Sequence, residues 1–405
     1  MRRISWIVLL LFVFAIPWEY SLELGEPLGN IARAIGLTLL LVAVLSVLQN
    51  GQMRDPGAMQ LAVVVLYLWF CCSYFWTIDP LSTLAKFRGY PQEMMIVWLV
   101  WEFADNPTHL RSLLRAWLAG SWILALLTIA NLASLEAIAS GQIRFAAFGQ
   151  DPNDVARFLD LGFPIAALLL EGEQRWWGRV LAIGFFPLGV AGVLLTASRG
   201  GFVAASVSLV GCAVLLVRNH LRGVLAGALA LPLVAGLLWF VTPHDTFERL
   251  GTISEQLRRG DLNQRLNIWV AGWHAFTQAP FLGHGAGSFA IASGLAPIDT
   301  AHNTALSIAV EGGICALFLF TVIVGLSILS AIATRGTMRI AFITLLAVWT
   351  VSSVVGTVGE SRSTWLLLAV IACAGRLASE VPSRMTLAFD PVIRALPPDS
   401  ICCLE

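Results

Sequence analysis

Arginine and histidine are the residues of this chain whose placement best suits work on a phosphate ester. The stretch TASRGGFVA sets Arg199 at a turn only a few residues long between two apolar runs, with Gly200 and Gly201 directly after it. A guanidinium presents a planar fork of donors to phosphate oxygens and stays charged when partly desolvated. The two glycines let backbone come close to that charge. NQRLNIWVAGWHAFTQAP places Arg265 just ahead of a helical pattern, and DTAHNTALSIAVEGGI places His302 at the start of another. The dipole at a helix start disfavours imidazolium, which leaves a neutral ring able to accept a proton. Ordinary roles compete: isolated arginines at a membrane edge snorkel to headgroups, a histidine beside a helix start is commonly structural, and Asn303 suits the cap itself.

Carboxylates are the other candidate bases. Asp151 and Asp154 flank Pro152 and Asn153 in FGQDPNDVARF, and Glu311 shares a helix face with Ser307 and Asn303 at four-residue spacing. An acid inside a membrane helix either serves function or pairs with an arginine for packing. There is no Asp-x-Asp motif and no His/Cys group at ligand spacing, so metal-free chemistry is expected. The G-x-G of PFLGHGAGSF lacks the preceding strand of a dinucleotide site, and no cofactor or nucleic-acid partner is expected. The seven cysteines form no disulfide framework.

The elements that must hold these groups are membrane helices. Of 405 residues, 58% are hydrophobic and only 12% charged, which excludes an ordinary soluble domain. The apolar runs are continuous rather than alternating, so a β-barrel is excluded as well. Twelve helices are expected, near 4–18, 31–49, 58–76, 81–104, 113–134, 153–170, 179–197, 201–217, 223–241, 304–331, 338–358 and 363–379. Residues 1–241 would carry nine of them and 304–379 three. Between these lies an outer segment, 242–303, and residues 380–405 form a tail. The basic, apolar N-terminus reads as the first crossing rather than a cleaved signal, because no small-residue cleavage site follows it.

Alternate loops carry Arg2 and Arg3, Arg54, Arg111 and Arg115, Arg175 and Arg179, Arg218 and Arg222, Arg335 and Arg339, and then Arg376. By the positive-inside rule that face is cytoplasmic, with both termini on it. Lys86, Arg88, Arg144, Arg157, Arg199, Arg265 and Arg362 then fall at the outer boundary, where topology does not require them. The chain has a single lysine against twenty-four arginines. The fourth helix carries Lys86 and Arg88 in its outer half and Pro91 at its centre, and reads as broken at membrane depth. In the outer segment Leu266, Trp269, Trp273 and Phe276 recur at helical spacing, as in an amphipathic helix lying on the interface. The glycines after Pro280 would form a tight turn at the mouth of a cavity.

Five stretches together resemble the O-antigen ligase and O-antigen polymerase superfamily of bacterial envelope glycosyltransferases. They are WTIDPLSTL, RFAAFGQDPNDVARFL, TASRGGFVA, RLNIWVAGWHAFTQAPFLGHGAGSF and AHNTALSIAVEGGI, in order across residues 76–314. The resemblance implies an all-α polytopic enzyme of C-type glycosyltransferase architecture in the bacterial inner membrane, with a periplasmic active site. Its donor would be a glycan on undecaprenyl diphosphate and its acceptor lipid A–core, with membrane lipids around it. Arg199 and Arg265 would bind the pyrophosphate, with Lys86, Arg88, Arg144 and Arg157 as further donor contacts. His302 would activate or hold the acceptor hydroxyl, and Asn153, Asn303 and Glu311 would support the site. FGQDPN departs from the plainer Asn-Pro-Asn turn of relatives, which leaves the role of Asp151 open. A polymerase would use the same donor with another lipid-linked glycan as acceptor. A transporter is the alternative of a different class; it would show a second broken helix in the other half of the chain.

Overall fold

The computed structural model describes residues 1–25, 29–134, 142–217, 264–297 and 299–380, with 246, 248, 251 and 252. Its helices are α1 (Arg2–Ala15), α2 (Ile31–Asn50), α3 (Ala58–Cys72), α4 (Pro80–Phe103), α5 (Pro107–Leu132), α6 (Pro152–Leu170) and α7 (Trp176–Leu195). There follow α8 (Arg199–Val217), α9 (Arg265–Gln278), α10 (Phe289–Ala292), α11 (Thr304–Ala333), α12 (Gly336–Val355) and α13 (Arg362–Glu380). Among the described residues, nine helices are long and apolar enough to cross a membrane. The protein is an all-α polytopic membrane protein. Eleven of the expected crossings correspond to helices here; the twelfth, 223–241, and the tail lie outside the described residues.

Two of those eleven, α4 and α6, are not among the nine, because each carries several ionisable groups. The bundle makes room for them by burial. In α6 every residue from Val155 to Leu169 is buried, the mark of a helix wrapped on all sides rather than one facing lipid. It packs on α5, α7 and α12. Gly162 faces the ring of Phe185, and Gly189 of α7 faces Phe163. Small residues here let the two backbones come close, which is how helices associate where lipid removes the hydrophobic drive. Pro164 has no N–H to give to the carbonyl of Asp160 four residues earlier; the Ser208 hydroxyl of α8 supplies that bond at 2.7 Å.

The expected break at Pro91 does not occur. α4 runs continuously from Pro80 to Phe103 with Pro91 inside it. A proline removes one helix bond and leaves the rest of the ladder intact, and α4 is held by packing against α13.

Arg2, Arg54, Arg111, Arg115 and Arg376 of the basic loops share one end of the bundle; Arg218 and Arg222 lie outside the described residues. Arg2 pairs with Glu102 and Asp105, Arg54 reaches the same Asp105 at 2.5 Å, and Arg376 donates to the carbonyl of Ala104. Arg111 donates to the carbonyls of Leu169 and Glu171, and Arg115 pairs with Glu173. At that end burial would raise the Glu173 carboxyl, but hydrogen bonds from Arg115 and the Arg175 backbone outweigh it and hold the group below its ordinary value. Asp151, Asp154, Arg157, Arg265, Asp299 and His302 gather around a cavity elsewhere.

Candidate active site

At that site four helices begin close together. α6 starts at Pro152 with Asp151 as its cap, the carboxylate accepting from the Asn153 N–H at 2.7 Å. α8 starts at Arg199, and the Ser198 hydroxyl caps it by accepting from the Gly201 N–H at 3.1 Å. α9 starts at Arg265. α11 starts at Thr304, where Asn303 accepts from the Leu306 N–H at 2.9 Å. Residues from all four starts line one cavity of about 380 Å³, including Asn153, Gly200, Gly201, Arg265 and His302. Helix N-termini carry partial positive charge and unsatisfied N–H donors, so their convergence favours an anion.

The side chains strengthen that bias. Arg157 and Arg265 both line the cavity. Arg157 is 6% exposed; one guanidinium nitrogen meets Asp154 at 3.0 Å and another donates to the Ser361 hydroxyl at 3.1 Å. Arg265 is held below its ordinary pKa by burial, and neighbouring Arg199 pushes the same way against Asp151. A guanidinium stays protonated even when partly desolvated, so Arg265 keeps its charge. The Arg199 side chain itself reaches the Thr252 hydroxyl at 2.6 Å, while Ser198, Gly200 and Gly201 of its turn line the cavity. Ala197, just before that turn, has φ 47°, a conformation that costs a non-glycine residue energy and marks how sharply α7 gives way to α8.

His302 lines the cavity beside Asp151, Asp299 and Arg265. Burial first, and Arg265 second, lower its pKa below the usual 6.5, against the opposing pull of Asp151 and Asp299. The imidazole is therefore neutral at neutral pH and can accept a proton. Its φ is 45°, a strain imposed where the chain turns into α11. The other described histidines have partners elsewhere or face outward: His109 stacks on Trp6, His284 bonds the Ala275 carbonyl at 2.8 Å, and His274 is exposed.

The remaining candidates take supporting places. Arg144 donates to the Thr196 carbonyl and, at 2.9 Å, to the Asn153 side chain. Asn153 also accepts from Ser198 at 2.8 Å, so it ties the start of α6 to the SRGG turn. Asn303 is the cap of α11. Lys86 is not on the cavity wall; it pairs with Glu360. Of Arg88 only the backbone is described.

Glu311 holds the glycine-rich turn. α11 is kinked at Gly313, whose φ of 67° and ψ of −169° are not helical. The freed backbone is taken up by the segment after α9: His284 N–H donates to the Val310 carbonyl at 2.9 Å, Gly285 N–H to Glu311 at 2.9 Å, and Ile314 N–H to Pro280 at 2.8 Å. The Glu311 carboxylate accepts from the Gly287 N–H at 2.7 Å and from Ser307 at 3.1 Å. Gly283, Gly285 and Gly287 all have positive φ, and a methyl on Gly283 would strike the Glu311 backbone. These glycines are wedged against α11 and α4 rather than set at the mouth of the cavity, because a side chain there would block the close backbone approach.

Sequence reasoning singled out Arg362 but passed over the residues before it in the loop between α12 and α13. Gly356, Thr357 and Val358 line the cavity, Glu360 holds Lys86, and Ser361 holds Arg157. Arg362 pairs with Glu19 and donates to Gln92 at 2.9 Å. The available signal was a run of Gly, Thr, Glu, Ser and Arg in GTVGESRS between two apolar helices.

Residues 184–321 match the protein-family model described as O-antigen ligase. The match spans Arg199, Arg265, His302 and Glu311, while Lys86, Arg144, Asn153 and Arg157 lie outside it. No curated protein matches the chain. The family match supports the O-antigen ligase superfamily, whose members include polymerases as well as ligases.

Proposed function

From that superfamily match and the geometry of the cavity, we propose that the protein is an O-antigen ligase. It transfers a glycan from undecaprenyl diphosphate to lipid A–core on the periplasmic side of the inner membrane. The supporting observation is the 380 Å³ cavity in which four helix starts, Arg157, Arg265 and a neutral His302 come together. Attack by an acceptor hydroxyl on the anomeric carbon breaks the bond to the pyrophosphate and places negative charge on the leaving group. Arg265 and Arg157, with Arg199 behind the SRGG turn, stabilise that charge as it grows. His302 takes the hydroxyl proton. A single displacement inverts the anomeric carbon, and Arg144 and Asn153 keep the SRGG turn in register with α6.

The test is transfer by the purified protein from a lipid-linked glycan, offered either lipid A–core or a second lipid-linked glycan. Labelled lipid A–core product is expected, unaffected by a chelator. Product only on the second lipid-linked glycan would make the protein a polymerase; no transfer to either would end the transferase reading.

A further inference from the structure

Charges of both signs line the cavity around His302, and two of the negative ones are not spent on ion pairs. Asp154 also lines the cavity but pairs with Arg157. Asp151 and Asp299 differ: among the described residues neither pairs with an arginine or lysine. Each uses one carboxylate oxygen for a backbone N–H, that of Asn153 at 2.7 Å and that of Ala296 at 3.2 Å. Both line the cavity with His302, and with Arg265 they are the charged groups that bias its imidazole.

Asp151 supports the charge on Arg265, but two carboxylates held outside any ion pair also oppose the anion that Arg265 attracts, so holding pyrophosphate alone does not account for both. They fit the other reactant. Carboxylates accept hydrogen bonds from sugar hydroxyls and repel phosphate or carboxylate groups. We infer that Asp151 and Asp299 select the acceptor, so that the sugar reaching His302 is an uncharged polyol and accepting sugars bearing phosphate or carboxylate are rejected. This rests on the proposed function, in which His302 meets the acceptor.

The experiment uses the full-length protein with saturating lipid-linked donor and two lipid acceptors that differ only in whether the accepting sugar carries a phosphate. Asp151→Asn and Asp299→Asn, singly and together, keep an oxygen for the backbone N–H, so the α6 cap and the 296–299 turn persist. The wild type should prefer the neutral acceptor in kcat/KM, and the double variant should lose about tenfold or more of that preference. Raising salt should narrow the wild-type ratio more than the variant's, because screening acts on the repulsion. A wild type indifferent to the phosphate, or a ratio unmoved in the double variant, overturns the inference and leaves the transferase reading standing. A wild type that transfers to neither acceptor overturns both.

Discussion

His302 and Arg265 lie near one another, yet they are assigned opposite electrical tasks. Arg265 has to keep its charge to meet a growing anion, and His302 has to remain uncharged to take a proton. Burial pushes both pKa values down, but a guanidinium starts from a far higher ordinary value than an imidazole does. Arg265 therefore stays a cation while His302 stays neutral. Burial and Arg265 lower the His302 pKa, so the rate of transfer should fall on acidification with a midpoint below 6.5. A pH profile whose acid limb has its midpoint above 6.5 would remove His302 as the base. His302→Gln should reduce kcat by about 100-fold or more and abolish that acid limb. Arg265→Ala should reduce kcat/KM by about 100- to 1,000-fold with normal insertion and elution behaviour; near-normal transfer would show that the pyrophosphate binds elsewhere. The identities of Arg199, Arg265 and His302 as candidates could be read from TASRGGFVA, NQRL and AHN, because charge beside a turn or helix start is a local pattern. The direction in which Arg199 points could not, since Thr252 lies far along the chain.

At the scale of elements, the site depends on where helices begin and where α11 is interrupted. Asp151, Ser198 and Asn303 each end a loop by accepting an N–H of the first turn, so short polar residues fix the points from which positive helix ends face the cavity. The kink at Gly313 lets the turn after α9 lean on α11, and Glu311 bolts the two together. Gly283→Ala combines an unfavourable positive φ with a collision against the Glu311 backbone. It should lower stability by about 1 kcal/mol or more, read as a lower unfolding midpoint in detergent. An unchanged midpoint would mean that the turn is not held as described. A helix at α9 was legible from its spacing, but the expected single apolar face of Leu266, Trp269, Trp273 and Phe276 is not what the structure shows. Leu266, Val270 and Trp273 are exposed, whereas Trp269 bonds the Ala301 carbonyl at 3.0 Å and Phe276 packs on a small core with Ala275, Phe289 and Val310. Both sides of α9 are apolar, and only the neighbours decide which of them meets lipid.

For the molecule as a whole, the two ends of the bundle differ in purpose. One carries the arginine loops closed by Glu102, Asp105 and Glu173; the other carries the cavity. The proposed function requires the cavity end to be periplasmic. In a background without the native cysteines, Gln278→Cys should react with a membrane-impermeant maleimide in intact spheroplasts. Gln52→Cys, in the loop between α2 and α3, should react only after permeabilisation. The reverse pattern would invert the topology and place the proposed chemistry on the wrong side for its acceptor.

The sequence by itself determined that the chain is a helical membrane protein and located eleven of its helices, because a bilayer demands long continuous apolar runs and leaves few other ways to satisfy backbone groups. It also named most of the charged residues now found around the cavity, since arginines at the outer boundary have no topological reason to be there. Only the tertiary structure decided which of them share a wall. The separation of Lys86 from Arg265, the joining of Asn153 to the SRGG turn and the recruitment of Gly356–Val358 all depend on contacts between helices distant in sequence. Apolar periodicity records that a helix is buried or facing lipid, but it carries no information about which neighbour it meets.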